Sequence, residues 1–167
     1  PRYNWVVIFL LSSFITGSLF TSYPRNNKYE LGRQYSVSES DILTVNKIAE
    51  DKNGYVVLAN QSVSAAAIKE HGFKTYFEAE NGQSVFYYPV PTSSPLYSVY
   101  LDMVYDAPTK ENALQAKELA GDDVDTVYFV LNKYWDNSSQ IAEQAKLIAD
   151  EWVEINDGEI VIFVYEF

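Results

Sequence analysis

The feature that most constrains this chain is an unbroken apolar stretch near its start. Trp5–Phe20 contains no charged residue and no proline. A bilayer core about 30 Å thick needs roughly 20 apolar residues in a helix, and Tyr3–Tyr23 reaches that length with aromatic residues at both ends, where such side chains favour the interface. The stretch therefore predicts a transmembrane helix over residues 1–23, in contact with the lipid bilayer through residues 3–23. The alternative is a buried strand pair or core helix, because residues 6–9 include good strand formers.

The flanks of this stretch add little about topology. Residues 21–25 do not resemble an Ala-x-Ala cleavage site, which disfavours a removed signal peptide. Arg2 precedes the stretch and three basic residues follow it, so charge does not settle the orientation. The chain begins with Pro1 rather than Met, from which we expect a piece of a longer protein.

The composition excludes several classes of function. Among 167 residues, 23 are acidic and 12 are Lys or Arg, giving a net charge of −11, which argues against binding nucleic acid or adhering broadly to anionic lipid. Cysteine is absent, so disulfides, thiolate metal sites and cysteine nucleophiles are excluded. With His71 as the single histidine, we expect neither a multi-histidine metal site nor a Ser-His-Asp triad. No cofactor is predicted.

Strands alternate with helices after a polar linker over residues 24–37. This order predicts a soluble α/β domain over residues 38–167, Rossmann-like and layered, with a mostly parallel sheet and a C-terminal antiparallel hairpin. The predicted strands are Tyr55–Ala59, Phe73–Phe77, Ser84–Tyr88, Asp125–Leu131, Val153–Ile155 and Glu159–Tyr165. The predicted helices follow a capping box at Ser38–Asp41, cover Val63–Glu70, start at Pro95 and at Thr109, and present Ile141, Ala142, Ala145, Ile148, Ala149 and Trp152 on one face.

Two polar loops follow predicted strands and form the candidate ligand site. Ligands of open α/β sheets bind at the carboxyl ends of strands, and amides, a cation, aromatic faces and a carboxylate together suit a sugar or peptide-like ligand. The structural alternative is that the Asn and Ser residues cap helices while the Trp packs on a neighbour. The predicted ligand-binding residues are Asn60, Gln61, Ser62, Asn132, Lys133, Tyr134, Trp135 and Asp136.

Other polar groups are better explained structurally. Thr92–Ser94 precede a helix and could hold a phosphate there, but no glycine or lysine accompanies them. His71 fits the negative end of a helix dipole. The remaining acidic candidates for a metal or acid/base pair have the spacing of a solvated loop or of one exposed helix face, and they are Asp102, Asp106, Asp122, Asp123 and Asp125.

Three segments, Tyr55–Ala67, Tyr88–Tyr97 and Tyr128–Trp135, carry a resemblance. In them the chain resembles the C-terminal part of large uncharacterised multi-pass membrane proteins of uncultured bacteria. The layout of those proteins is similar to that of polytopic glycosyltransferases that use lipid-linked sugars. The resemblance implies a last transmembrane helix followed by an extracytoplasmic domain at the cell membrane.

Trp135-Asp136 also resembles part of the Trp-Trp-Asp-Tyr-Gly acceptor-binding motif of oligosaccharyltransferases, although the final Tyr and Gly are absent here. In such transferases the catalytic carboxylates lie between early spans, so residues 1–167 would not carry the chemistry.

Three functions follow as hypotheses. The first is a membrane-tethered extracytoplasmic accessory or recognition domain, the tail of a membrane glycosyltransferase, which binds a lipid-linked sugar or an envelope protein. The second is a non-catalytic protein-interaction module of a cell-envelope assembly. The third is a small hydrolase or transferase acting at the Asn132–Asp136 loop.

Overall fold

A computed structural model of the chain describes residues 2–22, 37–72, 76–78, 82, 84–89 and 94–167. The chain divides into two compact units, Pro1–Gln34 and Tyr35–Phe167. Tyr23, most of the predicted linker and part of the predicted strand at residues 73–77 lie outside the described residues, as does Thr92-Ser93.

In the first unit the described residues form a helix, α1 (Arg2–Ser22). At 1.5 Å per residue its 21 residues extend over about 31 Å. Its large apolar side chains between Trp5 and Ile15 are each 53% to 75% exposed. Across the stretches that the structure describes, no helix combines the length and the apolar character needed to cross a membrane.

The second unit is an α/β domain whose helices begin and end mostly at the predicted cap residues. Ser38 and Asp41 form the predicted capping box, Thr109 caps a helix through its side chain, and helices end at Gly72 and Gly121. The helices are α2 (Glu39–Ile48), α3 (Gln61–His71), α4 (Pro95–Tyr105), α5 (Lys110–Ala120) and α6 (Ser138–Lys146). The strands are β1 (Tyr55–Leu58), β2 (Tyr76–Glu78), β3 (Ser84–Phe86), β4 (Thr126–Asn132), β5 (Glu151–Ile155) and β6 (Ile160–Glu166).

The main sheet is mixed, with the strand order β1-β4-β6-β5. Strands β1 and β4 are parallel, whereas β4 with β6 and β6 with β5 are antiparallel. The expectation of a mostly parallel sheet was therefore wrong. The C-terminal hairpin is confirmed, but it does more than add an edge, because β6 is apolar on both faces and is buried in the interior of the sheet beside β4.

Trp152 was assigned wrongly to the face of the last helix. Helix α6 ends at Lys146, and Trp152 lies in β5, paired with Phe163 of β6. The apolar spacing continues past the helix end at Ile148 and Ala149, which leave the helix but still pack against the core, so spacing alone did not reveal the end.

Helices cover both faces of the sheet. Helices α2 and α3 pack on the face formed by Tyr55, Val57 and alternate residues of β4 and β6. Helices α4, α5 and α6 pack on the opposite face, which includes Phe129 and Phe163 with their rings stacked at 5.7 Å. This layering leaves the ends of the strands as the place where loops from both faces meet.

Candidate functional site

The parallel pair of strands brings the two predicted polar loops together. Because β1 and β4 run in the same direction, both end at the same edge of the sheet. Asn60 follows β1 and Asn132 ends β4, and both side chains are buried. The side-chain Nδ2 of Asn60 donates to Oδ1 of Asn132 at 2.9 Å, so this part of the predicted site is assembled.

Asn60 also begins helix α3. Its Oδ1 accepts hydrogen bonds from the backbone nitrogen of Val63 at 3.0 Å and from Oγ of Ser62 at 3.0 Å. Its Nδ2 donates to Asn132 and to the hydroxyl of Tyr134. The amide of Asn60 is thus fully occupied, which fits the capping role that we considered as the structural alternative.

Asp41 is the residue of this cluster that sequence reasoning missed as a site residue. Its Oδ1 accepts from Ser62 Oγ at 3.1 Å and from Asn132 Nδ2 at 3.4 Å. Its Oδ2 accepts from the backbone nitrogen and the hydroxyl of Ser38, at 2.9 and 2.8 Å. One buried carboxylate therefore caps α2 and bridges to both loops. We name Asp41, Asn60, Ser62, Asn132 and Tyr134 the Asn60–Asn132 network.

Tyr134 is the member of this network that is exposed at the surface. Its hydroxyl accepts from Asn60 Nδ2, while the residue as a whole remains 41% exposed. Burial of the hydroxyl raises the pKa of Tyr134 above its ordinary value; the bond from Asn60 opposes this rise, and the nearby carboxylate of Asp41 adds to it. The hydroxyl is neutral near pH 7 and suits hydrogen bonding rather than proton abstraction.

Two further aromatic side chains adjoin Tyr134. The ring of Trp135 lies 5.7 Å from that of Tyr134 and 5.4 Å from that of Tyr105, which meets it edge-on and is 69% exposed. Trp135 donates Nε1–H to the hydroxyl of the buried Tyr100 at 2.9 Å and packs against the core, as the structural alternative expected. We name Tyr105, Tyr134 and Trp135 the aromatic rim.

The remaining predicted site residues lie around this centre rather than in it. Gln61 and Asp136 are exposed, each next to a member of the network or rim in sequence. Lys133 is turned towards the β5–β6 hairpin, with its Nζ 2.7 Å from the position that a Cβ on Gly158 would occupy. The structure therefore groups Asn60, Ser62, Asn132 and Tyr134 directly.

A second polar cluster, not foreseen from the sequence, joins α2 to the hairpin. Ser40 donates its hydroxyl to Glu159 Oε2, and Asn156 Nδ2 donates to Ser40 Oγ at 2.8 Å and to Glu159 Oε2 at 2.9 Å. Ser40 lies 116 positions from Asn156 and 119 from Glu159, so no local pattern could have indicated the contact. The cluster fixes α2 against the start of β6.

No metal-binding arrangement is found among the described residues, in which no three His, Cys, Asp or Glu side chains converge. Asp102 and Asp106 are exposed at α4 and its end, and His71 ends α3, as expected. No protein-family model, no curated protein and no solved structure matches this chain.

Proposed function

We propose that the second unit is a recognition domain, without chemistry of its own, that binds a hydroxyl-rich ligand such as an oligosaccharide at the aromatic rim. The observation that carries this proposal is the exposed ring of Tyr134, held in place by Asn60 and flanked by Tyr105 and Trp135. Aromatic faces stack on the apolar faces of sugar rings, and fixed polar groups orient the hydroxyls.

The roles of the polar residues follow from which of their side-chain atoms already form hydrogen bonds within the domain. Asn60 and Asp41 have their side-chain atoms engaged within the network, so they position Tyr134 rather than contact a ligand. Gln61 and Asp136 are exposed beside these residues and would donate to and accept from ligand hydroxyls. A rigid aromatic platform with a few adaptable polar neighbours costs little conformational entropy on binding.

We propose further that residues 3–23 tether this domain to the cell membrane, with the domain on the extracytoplasmic side. The exposed apolar side chains of α1 support the tether, because a helix that is apolar on all sides is unfavourable in water. The extracytoplasmic position and the identity as the tail of a sugar-transferring membrane protein rest on the resemblance alone. In this proposal the domain is Rossmann-like because its ligand binds at the carboxyl ends of its parallel strands.

Binding of free and polyisoprenyl-linked oligosaccharides to the full chain in neutral detergent, measured by titration calorimetry, tests the proposal. We expect Tyr134→Ala to weaken binding by about tenfold or more, since loss of a stacked ring at a site centre is costly. Tyr134→Phe keeps the ring but loses the bond from Asn60 that positions it, so it should weaken binding by less than Tyr134→Ala does.

Trp152→Ala provides the matched control, because Trp152 is an exposed aromatic residue on β5, away from the rim. It should bind as the wild type does. If no oligosaccharide binds, or if Tyr134→Ala binds as tightly as the wild type, the rim is not a saccharide site.

A further inference from the structure

The two edges of the main sheet differ in how they are covered. At one edge, the backbone nitrogen of Val57 in β1 donates to the carbonyl oxygen of Tyr87 at 2.8 Å, so the segment after β3 closes it in part. At the other edge, β5 pairs only with β6 among the strands that the structure describes. Alternate backbone N–H and C=O groups of β5 therefore point away from the sheet, where a further strand could bond to them.

The exposed side chains of β5 include apolar ones that a partner strand could cover. Glu151, Trp152, Val153 and Glu154 are all exposed. Trp152 pairs with Phe163 and Glu154 with Val161, which places both on the face covered by α6. An added strand would bury Trp152 and Val153, on opposite faces, against its own side chains.

The charges around this edge determine which charge on a partner strand would be favoured. Glu151 and Glu154 lie within β5, while Asp150 and Asp157 lie just beyond its ends, and all four are exposed. Three of the described lysines lie near these carboxylates. Lys146 Nζ is 4.4 Å from the centre of the Trp152 ring and 3.9 Å from Glu154, and Lys110 Nζ is 3.4 Å from Asp150. Lys133 approaches the hairpin at Gly158 beside Glu154. Glu151 and Asp157 form no ion pair with any described residue, so the edge keeps acidic groups for a basic partner. A second copy of β5 would bring acidic strands side by side, which like-charge repulsion disfavours.

We propose that the outer edge of β5 binds an extended basic segment of another protein, which adds to the sheet as a fifth strand. Backbone hydrogen bonds to β5 supply affinity that is independent of sequence, and basic residues opposite Glu151 and Glu154 supply selectivity. Apolar residues of the segment cover Val153 and Trp152. This surface lies at the opposite edge of the sheet from β1 and is independent of the aromatic rim.

The probe is a blocked peptide centred on the segment Lys-Val-Val-Lys, which in either strand direction places lysines opposite Glu151 and Glu154 and valines opposite Trp152 and Val153. It is titrated against the full chain in neutral detergent at low salt. The Kd is measured by fluorescence anisotropy, and backbone hydrogen exchange reports where the peptide binds. We expect slower exchange of amides within Glu151–Ile155, and a Kd that is at least about threefold weaker for the double variant Glu151→Gln/Glu154→Gln. The double variant Glu70→Gln/Glu118→Gln loses the same charge at exposed positions of α3 and α5 and should bind like the wild type.

A peptide with alternate backbone nitrogens methylated separates strand addition from charge attraction, because it keeps every lysine and loses half of its N–H donors. It should lose binding. The proposal is overturned if the methylated peptide binds equally well, if both double variants weaken binding to the same extent, or if β5 amides exchange unchanged. It is also overturned if the chain alone dimerises through β5 and Glu151→Gln/Glu154→Gln strengthens that dimer.

Discussion

The side-chain amide of Asn60 donates a 2.9 Å hydrogen bond to Asn132, which lies 72 positions further along the chain. This contact joins the carboxyl ends of the two parallel strands. Asp41 lies in α2, and its carboxylate joins that helix to both loops. Asp41, Asn60 and Asn132 are buried and bonded mainly within the network, so it acts as a unit. Its integrity sets both the stability of this edge and the position of Tyr134.

Removing Asn132 should therefore destabilise the domain. In Asn132→Ala, Asn60 loses an acceptor and Asp41 loses a donor, and both remain buried. Leaving such groups without partners costs about 1–3 kcal/mol in the free energy of unfolding. Urea denaturation of the full chain followed by circular dichroism measures this loss.

Asn46→Ala is the matched control, since Asn46 is exposed on α2. Its effect should stay within about 0.5 kcal/mol. Equal stability of the Asn132→Ala and Asn46→Ala variants would show that the network contributes nothing to folding.

Among the described glycines, Gly54 lies closest to a neighbouring backbone segment. A Cβ at this position would lie 1.7 Å from the carbonyl oxygen of Asp123, and the carbonyl of Gly54 accepts from the backbone nitrogen of Asp125 at 3.0 Å. Gly54→Ala must displace this turn from the start of β4, so we expect a loss of about 1–3 kcal/mol in unfolding free energy. Urea denaturation followed by circular dichroism measures this loss, and the neighbouring Asn53→Ala, at an exposed position, should be nearly neutral in the same experiment.

The parts of the fold that the sequence predicted are those with a local cause. Caps at Ser38 and Thr109 and the glycines that end helices depend on a few adjacent residues. The hairpin depends on Asn156-Asp157-Gly158. All three residues adopt the left-handed backbone conformation, with φ angles of 50°, 54° and 77°. These signals are readable without any knowledge of the tertiary structure.

The strand order required information that is not local. Strand β6 reads as a C-terminal strand that could lie at an edge, yet it enters the sheet beside β4 and pairs along its whole length, from Thr126 with Glu166 to Asn132 with Ile160. Its apolar residues face both helical layers, so burial on both sides favours the interior position. The apolar run of β6 itself indicates a strand buried on both faces, but it does not specify β4 as the neighbouring strand or the antiparallel direction of the pair.

The candidate site, like the fold, combines features that the sequence predicted with features that it did not. That Asn60 and Asn132 meet follows from two polar residues placed after parallel strands. That Asp41 joins them depends on where α2 lies over the sheet, and its nearest sequence signal was the capping box, which indicates a helix start and nothing more. Trp135 and Tyr134 are adjacent in sequence, but the first packs inward on Tyr100 while the second bonds to Asn60.

Buried tyrosines predict loss of stability at alkaline pH. Burial raises the pKa of the hydroxyls of Tyr100, Tyr165 and Tyr88 in the folded state. An unfolded chain releases these protons from about pH 10, while the folded chain still holds them. The unfolded state then binds fewer protons, so stability is fully present below about pH 10 and falls as the pH rises above it.

Tyrosinate absorbance and near-ultraviolet circular dichroism, recorded through an alkaline titration, test this expectation. Exposed tyrosines such as Tyr105 should ionise near pH 10, and a second rise in absorbance should come later, together with the loss of tertiary signal, because the buried phenols ionise as the domain unfolds. Tyr165→Phe should shift the transition to higher pH, since the hydroxyl of Tyr165 is buried and has no hydrogen-bond partner among the described residues. A smooth titration near pH 10 with the tertiary signal intact would contradict the prediction.

The tether proposed for residues 3–23 predicts that a charge in the middle of α1 releases the chain from membranes. Leu10 is 60% exposed within an apolar helix, and an arginine at the centre of an inserted helix costs about 2.5–3.5 kcal/mol on insertion scales. In membranes washed with alkaline carbonate, the wild type should stay in the pellet and Leu10→Arg should move largely to the supernatant. Leu114→Arg makes the same change at an exposed leucine of α5 and should stay with the wild type. Recovery of the wild type in the supernatant would exclude a membrane tether, and equal release of both variants would place the effect outside α1.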